Sequence, residues 1–412
     1  MAYLLQRLLP VALALLPATG VQAEWRGYVA AELLAFQEAP ADSRQHDVYA
    51  SLTFEPEYFR EWNRRDDLFT FKPFFMVDSH DDERSHADIR ELSWVHVARD
   101  WETNIGISKV YWGVTEAVHL VDIINQTDNL VNEDGEDKLG QPMVKLSLIR
   151  DHGIIDLFML PGFREREFPG IEGRPRFGIP VNEDALYESG AEELHTDFAV
   201  RWSHTIGEFD IGIAHFAGTA REPRFVVLPA DFTPPSSIAR VTPLYEIINQ
   251  TSLDLQAVFG GWLWKLEAVV RSGQGKRIRS FAGGYEYTFV GVNGSQVDIG
   301  VITEYLYDSR SDDIDTAAAA AGQPFFTSPF QNDLVIGARF TLNDAASSEL
   351  LASAIVDLEG GGQSYNLEAS RRFGDSWKLS LEARGLMNVP QNNVLSSFED
   401  DNRVRVELAR YF

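Results

Sequence analysis

The sequence predicts an all-β fold, a transmembrane antiparallel barrel whose strands run up and down, with about 18 strands. Three observations carry this prediction. Amphipathic stretches recur along the chain, each about ten residues long, which is the length of a tilted membrane strand. Short and long connections alternate between these stretches. No segment offers the uninterrupted apolar run of about 18 residues that a spanning helix needs, so the sequence excludes a helical membrane protein.

The first 23 residues have the features of a secretory signal peptide. Arg7 provides the positive charge, an apolar run follows it, and the segment ends on small residues, as signal peptidase sites do. The apolar run is too short to span a membrane as a helix. We therefore expect cleavage after Ala23 and one barrel domain over residues 24–412.

The charge balance excludes nucleic acid as a partner. The chain has 36 Lys and Arg against 62 Asp and Glu, a net charge of −26. Loss of Arg7 with the signal peptide leaves 35 basic residues and a net charge of −27, whereas nucleic-acid binding needs a basic surface. The absence of cysteine is typical of an exported protein that forms no disulfides. A soluble periplasmic β-sandwich or solenoid remains an alternative to the barrel.

The strands are clearest in the second half of the chain. At 261–272, Trp262 and Trp264 fall on one face and Lys265 and Glu267 on the other, a period of two that indicates a strand between two unlike environments. The alternation is weaker before residue 120, so 16 strands is the alternative count. The predicted strands are 25–36, 46–55, 67–77, 87–99, 101–111, 142–150, 153–161, 194–205, 208–217, 248–259, 261–272, 279–291, 296–307, 332–343, 348–357, 363–373, 376–387 and 402–412.

The connections between these strands fall into two classes. Every second connection is a short turn, such as Gly260-Gly261 or Gly374-Asp375, and 56–66 is the longest of this class. The long connections are the intervening ones at 112–141, 162–193, 218–246 and 308–331. Short periplasmic turns opposite long extracellular loops are typical of single-chain bacterial barrels.

The last strand carries a resemblance to a known class. Val404, Val406 and Leu408 alternate with Arg403 and Arg405, and the chain stops at the aromatic Phe412. This ending resembles the terminal strand of Gram-negative outer-membrane β-barrels, in which it is the assembly signal. The resemblance is to barrels of the porin type and covers the whole mature chain. It implies a bacterial outer-membrane location, contact with lipid and lipopolysaccharide, and recognition by the barrel assembly machinery.

One segment has a second and weaker likeness. Trp112-Gly113, which leads into the 112–141 connection, is similar to a segment of alginate-export-like barrels. No specific family is assigned from it.

The polar faces of the strands predict an aqueous lumen, because a barrel of about 16 to 18 strands leaves a water-filled channel. Opposed charges along a channel order water and admit polar solutes. The alternative is that these are solvated wall residues that pair across strands. The lumen-lining candidates are Lys265, Glu267, Arg271, Arg339, Glu368, Lys378, Glu382, Arg384, Arg403, Arg405 and Glu407.

The connection 112–141 is the candidate for a constriction. It is too apolar for a loop surrounded by water, and a long apolar loop packs on something. Folding into the lumen would hold Glu116, His119 and Asp122 in the path of a solute. The alternatives are a loop that caps the barrel mouth or one that contacts a neighbouring subunit, so a monomer and a homotrimer both stay open.

The connection 162–193 carries four arginines, Arg164, Arg166, Arg174 and Arg176. Guanidinium groups bind carboxylate, phosphate or sulfate through two parallel hydrogen bonds. Facing the acids of the 112–141 connection, they would form an eyelet. They could equally bind lipopolysaccharide phosphates or form salt bridges within their own loop.

These features predict a channel for passive diffusion of small polar or charged solutes. No motif implies a cofactor, a metal site or an enzyme, since Gly-x-Ser-x-Gly, phosphate-loop and His-Glu-x-x-His patterns are absent from the sequence. Two other functions remain open. One is a hydrophobe or polysaccharide transporter of similar shape, and the other is a loop-plugged barrel with an adhesion or structural role. The arginines favour anionic solutes and the net charge favours cations, so selectivity also stays open.

Overall fold

The computed structural model describes residues 23–132, 134–228, 240–311, 313–320, 322–325 and 328–412. The predicted signal peptide lies outside the described residues, except for Ala23. Eighteen strands form the wall of the barrel. They are β1 (Ala23–Phe36), β2 (Val48–Trp62), β3 (Asp67–Asp78), β4 (Ala87–Val97), β5 (Trp101–Ser108), β6 (Gln141–Arg150), β7 (Gly153–Pro161), β9 (Thr196–Ile206), β10 (Phe209–Thr219), β13 (Ile247–Phe259), β14 (Trp262–Ser272), β15 (Ile278–Phe289), β16 (Asp298–Asp308), β17 (Asn332–Thr341), β18 (Glu349–Asp357), β19 (Gln363–Phe373), β20 (Trp377–Met387) and β21 (Arg403–Tyr411).

The wall is a closed antiparallel ring. Each wall strand pairs with the next one along the chain, and β21 pairs with β1 in the register Val406 opposite Leu33. Backbone hydrogen bonds join Phe412 and Gly27 in both directions, at 3.1 and 3.0 Å. Because closure pairs both edges of the sheet, every strand has a neighbour on each side. The predicted all-β barrel of 18 strands is therefore confirmed.

One predicted connection is wrong. The chain was expected to leave the sheet at 56–66, but β2 continues to Trp62 and the turn is limited to residues 63–66. Proline cannot donate to a strand ladder and usually lies at the edge or start of a strand. In the structure Pro56 lies opposite Gly27 of β1, and the ladder between β2 and β3 is interrupted only between Phe54 and Tyr58.

The two ends of the barrel differ as the sequence predicted. One end has short turns, some of which place glycine in the left-handed region, as at Gly207 (φ 62°) and Gly374 (φ 60°), where a side chain would be strained. The other end carries the long loops. Three short strands there, β8 (Leu186–Tyr187), β11 (Arg224–Val226) and β12 (Thr242–Tyr245), form a separate small sheet.

Among the described residues, short helices occur only in connections between strands. The one α-helix described there is Thr316–Ala320, and single 3₁₀ turns lie at Asn63–Arg65, Glu192–Leu194, Val292–Gly294 and Val394–Phe398. None of the helices in the described part of the chain is long and apolar enough to cross a membrane.

The wall has two unlike faces. Trp264, Leu381 and Val406 are exposed by 46%, 36% and 37%, and they alternate with polar residues that face the interior. Large apolar side chains on the outside of a closed ring are expected where the surroundings are lipid. This apolar outer surface is the one that the sequence pattern predicted.

Part of the interior is a packed apolar core. Side chains from β6, β7, β9, β10, β13 and β14 pack there against the loop between β5 and β6 (residues 109–140, the β5–β6 loop). Trp112, Val121 and Ile124 are the loop's contribution, and each is at most 7% exposed. The loop therefore fills one side of the barrel.

Candidate functional site

All eleven lumen-lining candidates lie on the wall face opposite the exposed apolar residues. Cross-strand pairing fixes this, since residues directly opposite each other in a ladder point to the same face. Arg339, Leu351 and Glu368 form one such row across β17, β18 and β19. The alternation read from the sequence thus gives the side of the wall on which each charge lies.

Glu267 of β14 binds the β5–β6 loop from the far wall. Its carboxylate accepts hydrogen bonds from the backbone N–H groups of Val114, Thr115 and Val121, at 2.6, 3.0 and 3.1 Å, and from the Thr115 hydroxyl at 2.8 Å. The side chain is fully buried. Burying a carboxylate is costly unless donors surround it, and here the loop backbone supplies those donors.

Glu304 of β16 provides a second attachment two strands further round the wall. Its carboxylate accepts hydrogen bonds from the backbone N–H of Glu116 at 2.8 Å and of Ala117 at 3.1 Å. Because β14 and β16 lie across the barrel from β5 and β6, the loop crosses the interior to reach them. The sequence pattern gave no sign of this, since 188 residues separate Glu304 from Glu116.

The Glu116 side chain lies between two basic residues of the far wall. It accepts a hydrogen bond from Lys265 Nζ at 3.2 Å and another from the Arg339 guanidinium. Burial opposes ionisation of this carboxyl, but the charges of Lys265 and Arg339 prevail and lower its pKa. Glu116 is therefore an anion inside the barrel at neutral pH.

Asp134 brings a second acid of the loop to the far wall. Its carboxylate lies 3.0 Å from Arg384 of β20, and Arg384 also pairs with Glu382 on the same strand. Sequence reasoning missed Asp134, because it lies in a run of acidic residues that is typical of a solvated loop. Its ion pair with Arg384 of β20 became evident only from the structure.

His119 links the loop to itself and to Glu267. Nε2 is 2.6 Å from Glu136, and Nδ1 is 3.8 Å from Glu267. Burial disfavours the imidazolium, but the hydrogen bond to Glu136 and the nearby carboxylate of Glu267 outweigh that effect and raise the pKa of His119 to about 10. The protonated ring then joins two carboxylates that would otherwise repel each other.

Asp122 braces the loop and is itself almost fully enclosed. Its carboxylate accepts hydrogen bonds from the backbone N–H of Trp112 at 2.7 Å and of Gly113 at 3.1 Å, and it lies 3.2 Å from Lys138 Nζ. The side chain of Asp122 is only 5% exposed. Asp122 thus fixes the shape of the loop that presents Glu116.

In the described residues, the four arginines of the β7–β9 loop form ion pairs and hydrogen bonds with groups other than Glu116 and Asp122. Arg164 lies 2.9 Å from Asp88, and Arg176 lies 3.1 Å from Asp42. Arg174 is buried against Asp401, and Arg166 donates to the Gln126 side chain at 3.2 Å. Most of them attach one loop to another, and the basic partners of Glu116 come from the wall instead.

Other lumen candidates form wall networks. Arg405 of β21 contacts Glu32 of β1 at 2.6 Å and lies 3.7 Å from Glu382. Arg271 contacts Glu222 of the β10–β13 loop at 3.1 Å. Glu32 was missed from the sequence, because it lies between apolar residues of β1 that also face the interior.

Two cavities lie along the part of the wall that the loop leaves uncovered. The outer cavity has a volume of about 860 Å³ and lies among the long loops, above β16–β21. The inner cavity has a volume of about 380 Å³ and lies against β17–β21. Glu116 and Asp134 of the loop, with Leu351 and Glu368 of the wall, line both cavities. The two spaces are therefore neighbours, and the loop and strands β18 and β19 form their shared border.

The fold is similar to that of solved porins. A BenF-like porin from Pseudomonas fluorescens Pf-5 matches with a TM-score of 0.54 at 9% identity, over 95% of this chain and 98% of that one. OccK5 (OpdH) of Pseudomonas aeruginosa matches with a TM-score of 0.53 at 8% identity, over 95% and 97% of the two chains. OpdQ of the same species gives 0.52 at 10% identity, over 96% and 99%. The chain therefore has the fold of a porin-type β-barrel.

No protein-family model and no curated protein matches the sequence of this porin-type barrel. The likeness to the solved porins is one of fold.

Proposed function

We propose that this porin-type barrel is a channel for passive diffusion of small polar or charged solutes. The supporting observation is the junction of the two cavities at Glu116, Asp134, Leu351 and Glu368. A space among the long loops and a space further down the wall share these four residues, so together they outline one route. Diffusion through such a route needs an opening and a charge pattern but no catalytic group.

The narrow part of the route is the proposed constriction. On the loop side it carries the carboxylates of Glu116 and Asp134, and basic groups of the wall, Arg339 and Arg384, lie beside them. Opposed charges at close range hold water in order and favour polar solutes over apolar ones. We assign the constriction to the β5–β6 loop because two buried wall carboxylates hold its backbone across the barrel.

We also propose three kinds of partner: the barrel assembly machinery, lipopolysaccharide and further copies of the barrel. Recognition by the barrel assembly machinery would use Phe412, which lies at the seam with its side chain 55% exposed. Lipopolysaccharide would surround the end with the long loops. Both a monomer and a homotrimer fit a closed ring.

Planar-bilayer recording tests the proposal. The purified barrel should give stepwise currents in KCl, and a variant lacking residues 114–120 should conduct at least about twofold more, since conductance follows the narrowest opening. The deletion is designed from the fold. Gly113 N–H already donates to Asp122, so the cut ends lie close together, and the apolar residues from Val121 onward stay in place.

The matched control is Glu349→Gln. Glu349 lines the inner cavity from β18, so its substitution changes a lumen charge without shortening the loop. Single-channel conductance of this variant should stay near that of the unaltered barrel. Absence of any current from the unaltered barrel would overturn the channel, and an unchanged conductance in the deletion variant would overturn the assigned constriction.

A transporter of hydrophobes is the second candidate, and one observation favours it. The outer cavity is lined by several phenylalanine rings, among them Phe168, Phe177 and Phe398. A dedicated route for apolar molecules would give little ionic current but would take up a hydrophobic dye into vesicles. The current measurement above therefore separates the two candidates.

A further inference from the structure

We propose that the outer cavity binds small amphipathic cations, that is, monovalent organic cations with an aromatic or other apolar body. The apolar body would lie against the phenylalanine rings, and the cationic end would face the carboxylates at the junction of the cavities. This inference rests on the proposed channel, since the bound cation would then pass the constriction. It assigns a solute class to that channel.

An aromatic surface at the barrel mouth is the first observation. Phe168 and Phe177 come from the β7–β9 loop, Phe225 from the β10–β13 loop and Phe398 from the β20–β21 loop. Ring centroids within this group are 5.4 to 6.4 Å apart, the spacing of favourable aromatic pairs. Three loops that are distant in sequence therefore build one continuous surface.

These rings are not a closed core. Phe225 is buried, but Phe168, Phe177 and Phe398 are only partly buried, and all four line the outer cavity. Exposed apolar surface at the mouth of a water-filled route costs free energy, and such patches mark binding sites. A cavity of about 860 Å³ lies in the size range of small-molecule sites.

The charge of the cavity selects the sign of the ligand. Eight carboxylates, among them Glu116, Asp134 and Glu368, line it against four guanidinium groups and the protonated ring of His119. The inner cavity repeats the excess, with six carboxylates against three basic groups. An acidic lining concentrates cations and repels anions.

The basic groups at the cavity already have anionic or polar partners. Arg176 pairs with Asp42, and Arg384 pairs with Asp134 and Glu382. The carboxylate of Glu368 accepts a hydrogen bond from the Asn366 side chain at 2.7 Å, but its side chain is 44% exposed and its nearest cationic group in an ion pair is Arg384 at 3.8 Å. A cation entering from the aromatic surface therefore meets an accessible carboxylate, while an anion meets guanidinium groups that are engaged.

Aromatic rings and a cation reinforce each other in this arrangement. The face of a phenylalanine ring attracts a quaternary ammonium group electrostatically as well as through burial of its substituents. An anion of the same size would gain only the burial. The combination of acidic lining and aromatic wall thus favours the amphipathic cation over a simple cation and over an aromatic anion.

The experiment compares three probes as blockers of the KCl current, each added on the side of the long loops. Benzyltrimethylammonium has a ring and a positive charge, tetramethylammonium has the charge without the ring, and benzoate has the ring with a negative charge. We expect benzyltrimethylammonium to block at the lowest concentration. Tetramethylammonium should need more, and benzoate the most.

Variants locate the site. Phe177→Leu and Phe398→Leu keep an apolar side chain and remove the ring, and each should weaken the block by benzyltrimethylammonium about two- to fivefold. Glu368→Gln should weaken it by a similar factor of about two to five. The control is Glu208→Gln, which removes the same charge from an exposed turn at the other end of the barrel and should leave the block unchanged.

The outcomes are distinct. A lower blocking concentration for benzoate, or equal block by all three probes, would overturn the inference while the KCl current still supports the channel. Unchanged block in all three cavity variants would also overturn it. Without any KCl current from the unaltered barrel, the proposed channel itself fails, and that result is seen before a probe is added.

Discussion

Two halves of the barrel interior differ in what fills them. Along β6, β7, β9, β10, β13 and β14, wall residues such as Phe158, Phe216 and Ile248 pack against the β5–β6 loop and are at most 4% exposed. Along β17 to β21 the wall carries Arg339, Glu368 and other charged side chains that border the two cavities. The same type of strand therefore supports a dry core on one side and a wet surface on the other.

The two halves show how one barrel accommodates charged side chains that are buried and charged side chains that border water. In the packed half each charge is enclosed by partners. Arg221 is an example, since it contacts Asp197 at 2.8 Å and the carbonyl oxygen of Ile124 at 3.0 Å. In the open half charged side chains also pair, as Arg405 does with Glu32 at 2.6 Å, but many of them border the cavities. Substitutions of buried charges in the first half should therefore lower stability, and substitutions of cavity-lining charges in the second should leave stability nearly unchanged.

The largest effect is expected from Arg221→Ala. The change leaves the Asp197 carboxylate buried without its cation, which costs about 3–5 kcal/mol of unfolding free energy. Lys378→Ala is the matched change in the open half, where Lys378 lines the inner cavity, and it should stay within about 0.5 kcal/mol of the unaltered barrel. Urea unfolding in detergent, followed by tryptophan fluorescence, measures both.

Equal losses of stability in these two variants would break the comparison. That result would mean that basic side chains of the packed half and of the open half contribute equally to the free energy of unfolding. A larger loss for Lys378→Ala would reverse it.

An intermediate effect is expected from Glu267→Gln. The carboxylate now accepts from N–H groups on both of its oxygens, whereas a carboxamide would turn an N–H₂ group toward one of these donors. Loss of this attachment should destabilise the barrel by about 1.5–3 kcal/mol and let the loop move, so that open-channel currents flicker. Planar-bilayer noise analysis checks this, with Glu349→Gln as the control that has no such attachment.

A steady current in Glu267→Gln would show that the loop is held without this carboxylate. Glu304 would then be the main attachment. The double variant with Glu304→Gln would decide this.

The smallest effect is expected from pH. The pKa of His119 is raised to about 10, above the value of about 6.5 in an unfolded chain. A raised pKa stabilises the folded loop fully below pH of about 6.5, and this stabilisation is lost as the pH rises through about 10. Channel noise should therefore stay constant from pH 6 to 8 and increase between pH of about 9 and 10.5.

His119→Asn is the control for this prediction. Its noise should show no rise that is specific to that range, because no imidazolium remains to be neutralised. The same rise in both proteins would assign it to other groups.

The sequence predicted the strands best where the two faces of the wall differ most. In β14, Trp264 faces outward and Lys265 inward, so the period of two is plain. In β1, Leu34 and Phe36 face a packed interior while Leu33 faces outward. Both faces are then apolar and the contrast disappears. For this physical reason the alternation of apolar and polar residues is weaker in the strands before residue 120.

The candidate site could be predicted only in part. Alternation placed Glu267, Arg339 and Glu368 on the inner face, because that property is local to each strand. The partner of Glu116 could not be found in this way. Arg339 lies 223 residues further along the chain, and no local pattern connects two groups that meet only after the ring has closed.

The off-centre position of the route has a consequence for how such a barrel can change. Only five neighbouring strands, β17 to β21, border the inner cavity along with the β5–β6 loop. Mutations that retune what the protein takes up can therefore accumulate on the cavity-facing side of this sector, because the larger packed core between the loop and the wall lies against β6, β7, β9, β10, β13 and β14. An engineer seeking a new cargo would randomise this arc and leave the remaining circumference untouched.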